Sequence, residues 1–171
     1  MNLKEQLLKE HSRNITDYIT RFIGNSPAKF KQIIEIIYNA EPPLPQRAAW
    51  LLATVNALHP ELLTPYLAKF INTIKEFEVD AVRRNMMVVL ASQTIPEDLQ
   101  AKLIDTCFEL IDLPQEKVVV KVHAMQAIAN IAKIHPELTG ELNLVIEEQL
   151  PHSSAAFKAR ARMIMKELNK L

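Results

Sequence analysis

Three stretches of the chain share one pattern: Leu58-His59-Pro60-Glu61-Leu62, Thr94-Ile95-Pro96-Glu97-Asp98 and Ile134-His135-Pro136-Glu137-Leu138. Each stretch follows an apolar run with helical periodicity and precedes another such run. Their prolines, at positions 60, 96 and 136, are 36 and 40 residues apart. This spacing is typical of solenoids built from helix pairs. The pattern therefore predicts an all-α repeat fold, whose function depends on a surface and not on a recognisable catalytic motif.

The periodicity predicts four helix pairs in a single repeat domain over residues 1–171. The pairs are expected at residues 27–58, 60–93, 96–134 and 136–170, behind an N-terminal helical cap at residues 1–24. Ser26-Pro27 offers an N-cap hydroxyl and a first-turn proline, and Gly24 suits the end of the preceding helix. The cap is one helix or two, because Asn14 with Asp17 could start a second one. Its predicted core-facing stripe is Ile15, Tyr18, Ile19, Phe22 and Ile23.

The composition is that of an ordinary globular protein with no charge bias. Hydrophobic residues make up 49% of the 171 residues, and 20 basic residues balance 20 acidic ones. A protein that binds by neutralising many phosphates usually has a basic excess, so nucleic-acid binding is disfavoured. The only glycines are Gly24 and Gly140, which argues against a β-rich fold or a phosphate-binding loop.

Three features predict a cytoplasmic protein that does not span a membrane. Cys107 is the only cysteine, so no internal disulfide can form and a reducing compartment fits. Residues 1–6 lack the apolar region of a secretory signal. No apolar run approaches the roughly 20 residues that cross a bilayer.

The predicted second helices open with similar sequences, which combine aliphatic, basic and small residues. The clearest are Asp80-Ala81-Val82-Arg83-Arg84, Val120-Lys121-Val122-His123-Ala124 and Phe157-Lys158-Ala159-Arg160-Ala161. They resemble the HEAT repeat, whose second helix typically begins with Asp, then Val-Arg, then a small residue. The resemblance covers about residues 27–170. It implies a right-handed α-α superhelix of the armadillo-like type, with the second helices on the concave face.

Basic residues at matching positions of the second helices form a predicted ladder, because stacked helices lie about 8–10 Å apart. The HEAT resemblance favours bonds from these residues to the neighbouring repeat, and the alternative is a stripe that binds a partner. Arg84 and Asn85 are additional polar residues beyond those that the ladder requires, so they are the preferred partner-facing positions. The candidate partner-binding residues are Arg47, Trp50, Arg83, Arg84, Asn85, Lys121, His123, Lys158 and Arg162.

The last two predicted helices carry opposite charges. The final helix has a basic residue every four positions, and the helix before it has no lysine or arginine. Electrostatic pairing between these adjacent helices is the favoured interpretation, and an anionic partner docked on the final helix is the alternative. The residues concerned are Lys158, Arg162, Lys166 and Lys170, against Glu137, Glu141, Glu147 and Glu148.

No motif points to a metal, a cofactor or a catalytic nucleophile. His59 and His135 occupy equivalent positions two repeats apart, too far from each other to share one ion. Cys107 lies among apolar neighbours, which predicts a buried and inert thiol. The chain is therefore expected not to be an enzyme.

The leading hypothesis is a small interaction or scaffold module that binds a protein on its concave face or at an end of the stack. The alternative is a nucleic-acid-binding protein related to the alkylpurine DNA glycosylases, which are also built from HEAT-like repeats. Those enzymes are longer and more basic than this chain. The residues that could imitate their groove are Trp50, Asp80, Arg83, Arg84 and Lys121.

Overall fold

The computed structural model describes residues 1–10 and 12–170. This part of the chain forms ten α-helices and no strand, which confirms the predicted all-α class. Three short 3-10 helices lie between them, at Pro60–Tyr66, Ile74–Glu76 and Leu150–His152. The α-helices are α1 (Leu3–Lys9), α2 (Arg13–Ile23), α3 (Pro27–Asn39), α4 (Leu44–Leu58), α5 (Leu67–Thr73), α6 (Asp80–Ala91), α7 (Glu97–Asp112), α8 (Val118–Ala132), α9 (Leu138–Gln149) and α10 (Ala155–Leu168).

The N-terminal cap consists of two helices, α1 and α2. Ser12 starts the second one, two residues earlier than Asn14, because its hydroxyl accepts a hydrogen bond from the Ile15 N–H at 3.3 Å. Gly24 ends α2 as predicted, with a φ of 50° that favours glycine. The Ser26-Pro27 start of α3 is also confirmed, since the Ser26 hydroxyl accepts from the Lys29 N–H at 3.4 Å.

The chain divides into an N-terminal unit, Met1–Val89, and a C-terminal unit, Leu90–Leu171. In the N-terminal unit, α3 packs against α4, and both cap helices also contact α4. The core between them is aliphatic, with Ile33, Leu51 and Leu52 fully shielded from solvent. A single repeat domain across all 171 residues stays a prediction.

Aromatic side chains join α3 to the first helix of the next pair. The ring centroids of Phe30 and Tyr66 are 5.9 Å apart, and those of Tyr38 and Phe70 are 6.2 Å apart. The Tyr38 hydroxyl also lies 2.7 Å from the Thr73 hydroxyl. First helix therefore packs on first helix within this unit, which is the arrangement expected of neighbouring helix pairs in a solenoid.

In the C-terminal unit, α8 is the central helix and contacts α7, α9 and α10. Val120, Ala124 and Ile128 are fully buried, and so is Ala129 on another side of the helix. An almost uniformly apolar helix needs neighbours on several sides, and the burial of α8 meets that need. Each large aliphatic side chain removed from water contributes about 1.5–3 kcal/mol, so α8 anchors the unit.

Candidate interaction surfaces

Arg47, the first residue of the predicted ladder, bonds within the protein. Its Nη1 donates to the Leu7 carbonyl oxygen at 2.6 Å and to the Leu8 carbonyl oxygen at 3.2 Å. These carbonyls belong to the last turn of α1, where no helical N–H is available to them. Arg47 therefore ties the cap to α4.

Replacing Arg47 with methionine is expected to release α1 from α4. The change removes two hydrogen bonds donated by a charged group, and a bond of this kind contributes about 1.5–3 kcal/mol to stability. Without them α1 should unfold, because a seven-residue helix is not stable alone. Amide hydrogen exchange should show α1 losing protection while α8 keeps it. Arg84→Met, at an exposed position of α6, is the matched control and should leave α1 unchanged; equal loss in both variants would contradict this role for Arg47.

Arg83 and Asn85, near the start of α6, are also engaged. Arg83 donates to the Phe77 carbonyl oxygen at 2.6 Å and to Asp80 Oδ1 at 3.0 Å. Asn85 is only 6% exposed, and its Nδ2 donates to the Ala81 carbonyl oxygen at 2.8 Å on its own helix. The expectation that Asn85 faces a partner is therefore not met, whereas its neighbour Arg84 is exposed.

Lys121 and His123 occupy the ladder position of α8 and are shielded from solvent. Lys121 is 7% exposed, and its Nζ donates to Gln149 Oε1 at 3.2 Å. Burial lowers the pKa of Lys121, although the nearby carboxylates of Asp112 and Glu116 oppose that shift. His123 is half-buried, and burial lowers its pKa, assisted by the positive charge of Arg160.

The lowered pKa of His123 predicts a loss of stability in acid. Below about pH 6.5 the unfolded chain binds a proton that the folded chain resists, so the free energy of unfolding falls until the pH reaches the folded-state pKa. His123→Gln should reduce this pH dependence between pH 7.5 and 5.5, measured by urea unfolding. The other histidines are present in both proteins, so the difference isolates His123. An unchanged pH dependence would contradict the prediction.

The remaining candidates do not complete a single cluster. Trp50 is half-buried on α4, Lys158 is half-buried on α10, and Arg162 is exposed on α10. Of the nine predicted residues, Arg84 and Arg162 are the two that are exposed, and they belong to different units. Arg47 and Lys121 bond to a neighbouring helix pair or to the cap, as the favoured interpretation expected, whereas Arg83 bonds within its own repeat.

Three of the five residues that could imitate a glycosylase groove are paired or buried within the chain. Asp80 and Arg83 form an ion pair at 3.0 Å, which holds the carboxylate beside a cation. Lys121 is buried, so its charge does not lie on an open groove that could take up a phosphate.

Sequence periodicity placed the buried face of α2 too far towards Tyr18 and Phe22. Ile19 and Ile23 are buried as predicted, but Tyr18 is 57% exposed and Phe22 is 36% exposed. The reason is that Thr16 and Thr20 are buried, at 4% and 3% exposure. A threonine methyl group packs like an aliphatic one, so the buried face is turned away from the two aromatic rings.

The basic residue Lys29 lies beside the exposed ring of Phe22. Its Nζ is 3.9 Å from the ring centroid and donates to the Phe22 carbonyl oxygen at 2.7 Å. Arg21 is exposed on the same helix. The outer face of α2, defined by Tyr18, Arg21 and Phe22, is thus aromatic and basic.

The helix pair α9/α10 carries a second exposed surface, whose charges the sequence singled out and whose exposed apolar residues it did not. Leu144 on α9 is 64% exposed and Met163 on α10 is 61% exposed. Each lies opposite the buried stripe of its helix, which includes Ile146 on α9 and Ile164 on α10. Charged side chains surround both residues.

Comparison with known families assigns the chain. A family model described as a HEAT repeat domain matches residues 3–168. The chain belongs to the HEAT repeat family. The match includes α1 and α2, which lie outside the region where the motif resemblance was evident. Searches of curated proteins and of solved structures returned no match.

HEAT repeat domains are generally non-catalytic and typically mediate protein interactions. Burial raises the pKa of the Cys107 thiol far above its usual range, which keeps it protonated and unreactive. Within residues 1–10 and 12–170, no three His, Cys, Asp or Glu side chains are grouped so that they could hold a metal ion. His59 and His135 instead lie beside Glu61 and Glu137 of their own turns, at 3.5 and 3.3 Å.

None of the described helices of this HEAT repeat domain has the length and apolar character needed to cross a membrane.

Proposed function

We propose that this HEAT repeat domain is a non-catalytic interaction module of the cytoplasm, which binds a protein partner at an end of its repeat array. The proposed binding surface is the outer face of α2. The single observation that carries the proposal is the exposure of Tyr18 and Phe22 one helical turn apart on α2.

The exposed faces of helices in globular proteins are usually polar. Two aromatic rings one turn apart on such a face favour a surface that another molecule covers. Tyrosine is enriched among the residues that anchor protein interfaces, and so is arginine, which Arg21 supplies here. A partner that covers Phe22 would also shield the cation of Lys29 above its ring, so a partner segment with apolar and acidic side chains fits best.

The hydrogen bonds of the ladder residues favour the end of the array as the binding surface and disfavour the concave face. Arg47 and Arg83 donate to backbone carbonyls of their own unit. Lys121 is bonded to Gln149 and is almost fully buried. A partner at these positions would have to break existing hydrogen bonds, whereas the rings of α2 are already open to solvent.

The test places a photo-crosslinking amino acid, p-benzoylphenylalanine, at position 18 in living cells. The matched control carries it at position 58, because Leu58 is equally open to solvent, at 64% exposure. A protein that crosslinks through position 18 and not through position 58 is the expected result. The proposal would be overturned by crosslinking that is equal at both positions or absent at position 18.

The captured protein is then purified and its affinity for the wild-type chain is measured by calorimetry. Tyr18→Ser with Phe22→Ser should weaken binding at least about tenfold, since hot-spot truncations cost 2 kcal/mol or more. Leu58→Ser should leave the affinity unchanged. Equal affinities for both variants would show that α2 is not the binding surface.

A further inference from the structure

The outward face of α9 is acidic around one exposed leucine. Leu144 is 64% exposed, and Glu141 and Glu148, three residues before and four after it, are exposed on the same side. Residues 137–149 contain four glutamates and no lysine or arginine. Leu142 and Ile146 point the other way, into the core.

The outward face of α10 is basic around one exposed methionine. Met163 is 61% exposed, with the exposed Arg162 and Lys166 beside it. Residues 155–170 contain five basic residues and one acidic residue, Glu167. That glutamate is already used, because its Oε1 lies 2.6 Å from Lys133 Nζ.

The opposite charges of the two helices are not satisfied within one molecule. The ion pairs found among residues 12–170 join no glutamate of α9 to a lysine or arginine of α10. The predicted pairing between adjacent helices is therefore absent. The two helices contact each other, and each presents one exposed apolar residue among unpaired charges of one sign.

We propose that two copies of this chain associate through the α9/α10 pair, with α9 of each copy against α10 of the other. In this two-fold arrangement every contact occurs twice. Glu141 and Glu148 of one copy face Arg162 and Lys166 of the other, and Leu144 packs against Met163. Charge selects this register, because α9 against α9 or α10 against α10 would place like charges opposite each other.

The expected size of the interface indicates weak, reversible association. Helices of 12 and 14 residues are about 18–21 Å long, and two neighbouring helices make a face about 20 Å wide. Each copy therefore contributes about 400 Å², which gives roughly 800 Å² in total, below the range of stable complexes. We expect a dissociation constant in the micromolar range or weaker and a strong dependence on salt.

This self-association is separate from partner binding at α2, and a charge-swap experiment tests it alone. One variant carries Glu141→Lys and Glu148→Lys, and the other carries Arg162→Glu and Lys166→Glu. Each variant alone should be a monomer by sedimentation velocity, because both halves of its interface repel. Mixed together, the two variants should form a 1:1 heterodimer, since every swapped helix then meets an opposite charge.

The wild-type protein supplies the first measurement. Its dissociation constant should rise at least about tenfold between 50 and 500 mM salt, as surface charges become screened. Lys102→Glu and Asp105→Lys, at exposed positions of α7, are controls and should dimerise like the wild type. A wild-type protein that stays monomeric up to about 1 mM in low salt, or swapped variants that stay monomeric when mixed, would overturn the proposal.

Circular dichroism checks that each swapped variant is folded. If one is not, the neutral variants Glu141→Gln with Glu148→Gln and Arg162→Gln with Lys166→Gln take their place. Each neutral variant should weaken the dimer about tenfold by removing attraction without adding repulsion. An unchanged dissociation constant in both would equally overturn the proposal.

Discussion

Phe70→Ala should lower the free energy of unfolding by about 3–5 kcal/mol, the cost typical of a buried phenylalanine. Phe70 is fully buried on α5, and its ring packs against that of Tyr38 on α3. The alanine leaves a cavity at the contact between two successive helix pairs. A loss of this size is a large part of the stability of a small domain, and urea unfolding monitored by circular dichroism measures it.

Phe22→Ala is the matched control, since it makes the same substitution on the outer face of α2. Phe22 is 36% exposed and its contact with Lys29 is the main one that the change removes. Its cost should stay below about 1 kcal/mol. Similar losses in the two variants would contradict the assignment of Phe70 to the contact between helix pairs.

Ile128→Ala should lower the free energy of unfolding by about 2–5 kcal/mol. Ile128 is fully buried in α8, which contacts α7, α9 and α10. Because helices surround this position, the cavity cannot collapse easily, and the cost should fall in the upper part of that range. Urea unfolding again provides the measurement, and the loss should appear for every helix of the C-terminal unit in hydrogen exchange.

Ile134→Ala supplies the control for Ile128, six residues further along the chain. Ile134 is 65% exposed just after the end of α8, so its truncation should change stability by no more than about 0.5 kcal/mol. If Ile128→Ala were as mild as Ile134→Ala, α8 would not be the packed centre of its unit.

The helices of this HEAT repeat domain were predictable because their ends depend on local chemistry. The repeated turn after α4 and α8 ends both helices in the same way. The His59 N–H donates to the Val55 carbonyl oxygen at 2.9 Å, and the His135 N–H donates to the Ile131 carbonyl oxygen at 3.0 Å. A proline follows each histidine and cannot continue the helix. Both features are visible in a few consecutive letters of sequence.

Local chemistry misleads where a proline resembles a helix start. Thr64-Pro65 has the same pattern as Ser26-Pro27, yet Pro65 lies inside the 3-10 helix Pro60–Tyr66 and α5 begins only at Leu67. Proline fixes φ in a range that both helix types use, so it does not distinguish them.

The sequence could predict that the ladder residues form hydrogen bonds within the chain, but it could not predict their acceptors. The sequence favoured intramolecular bonds for Arg47, and the structure has them. Its acceptor, the Leu7 carbonyl, lies 40 residues away in the chain, and periodicity contains no information about where α1 folds back. Asn85 differs, because it was expected to face a partner but is buried, and its Nδ2 donates to the Ala81 carbonyl oxygen of its own helix.

The candidate surfaces depend on which face of each helix is buried. One or two residues of ambiguous polarity are enough to make that face hard to predict from the sequence. On α2 the buried Thr16 and Thr20 looked polar, so the aromatic residues were assigned to the core. On α9/α10 the charge stripes were visible in the sequence. That they stay unpaired within the molecule required the positions of both helices.

The central claim is that neighbouring helix pairs within each unit pack side by side, first helix on first helix in the N-terminal unit and second on second in the C-terminal unit. Nuclear Overhauser contacts in solution test it most directly. The account predicts contacts between the rings of Phe30 and Tyr66 and of Tyr38 and Phe70, whose centroids are 5.9 and 6.2 Å apart. It also predicts contacts between Gln126 and Arg160, where Arg160 Nη2 donates to Gln126 Oε1 at 2.8 Å. The absence of these contacts, with α3 or α8 packed instead on helices of non-neighbouring pairs, would contradict it.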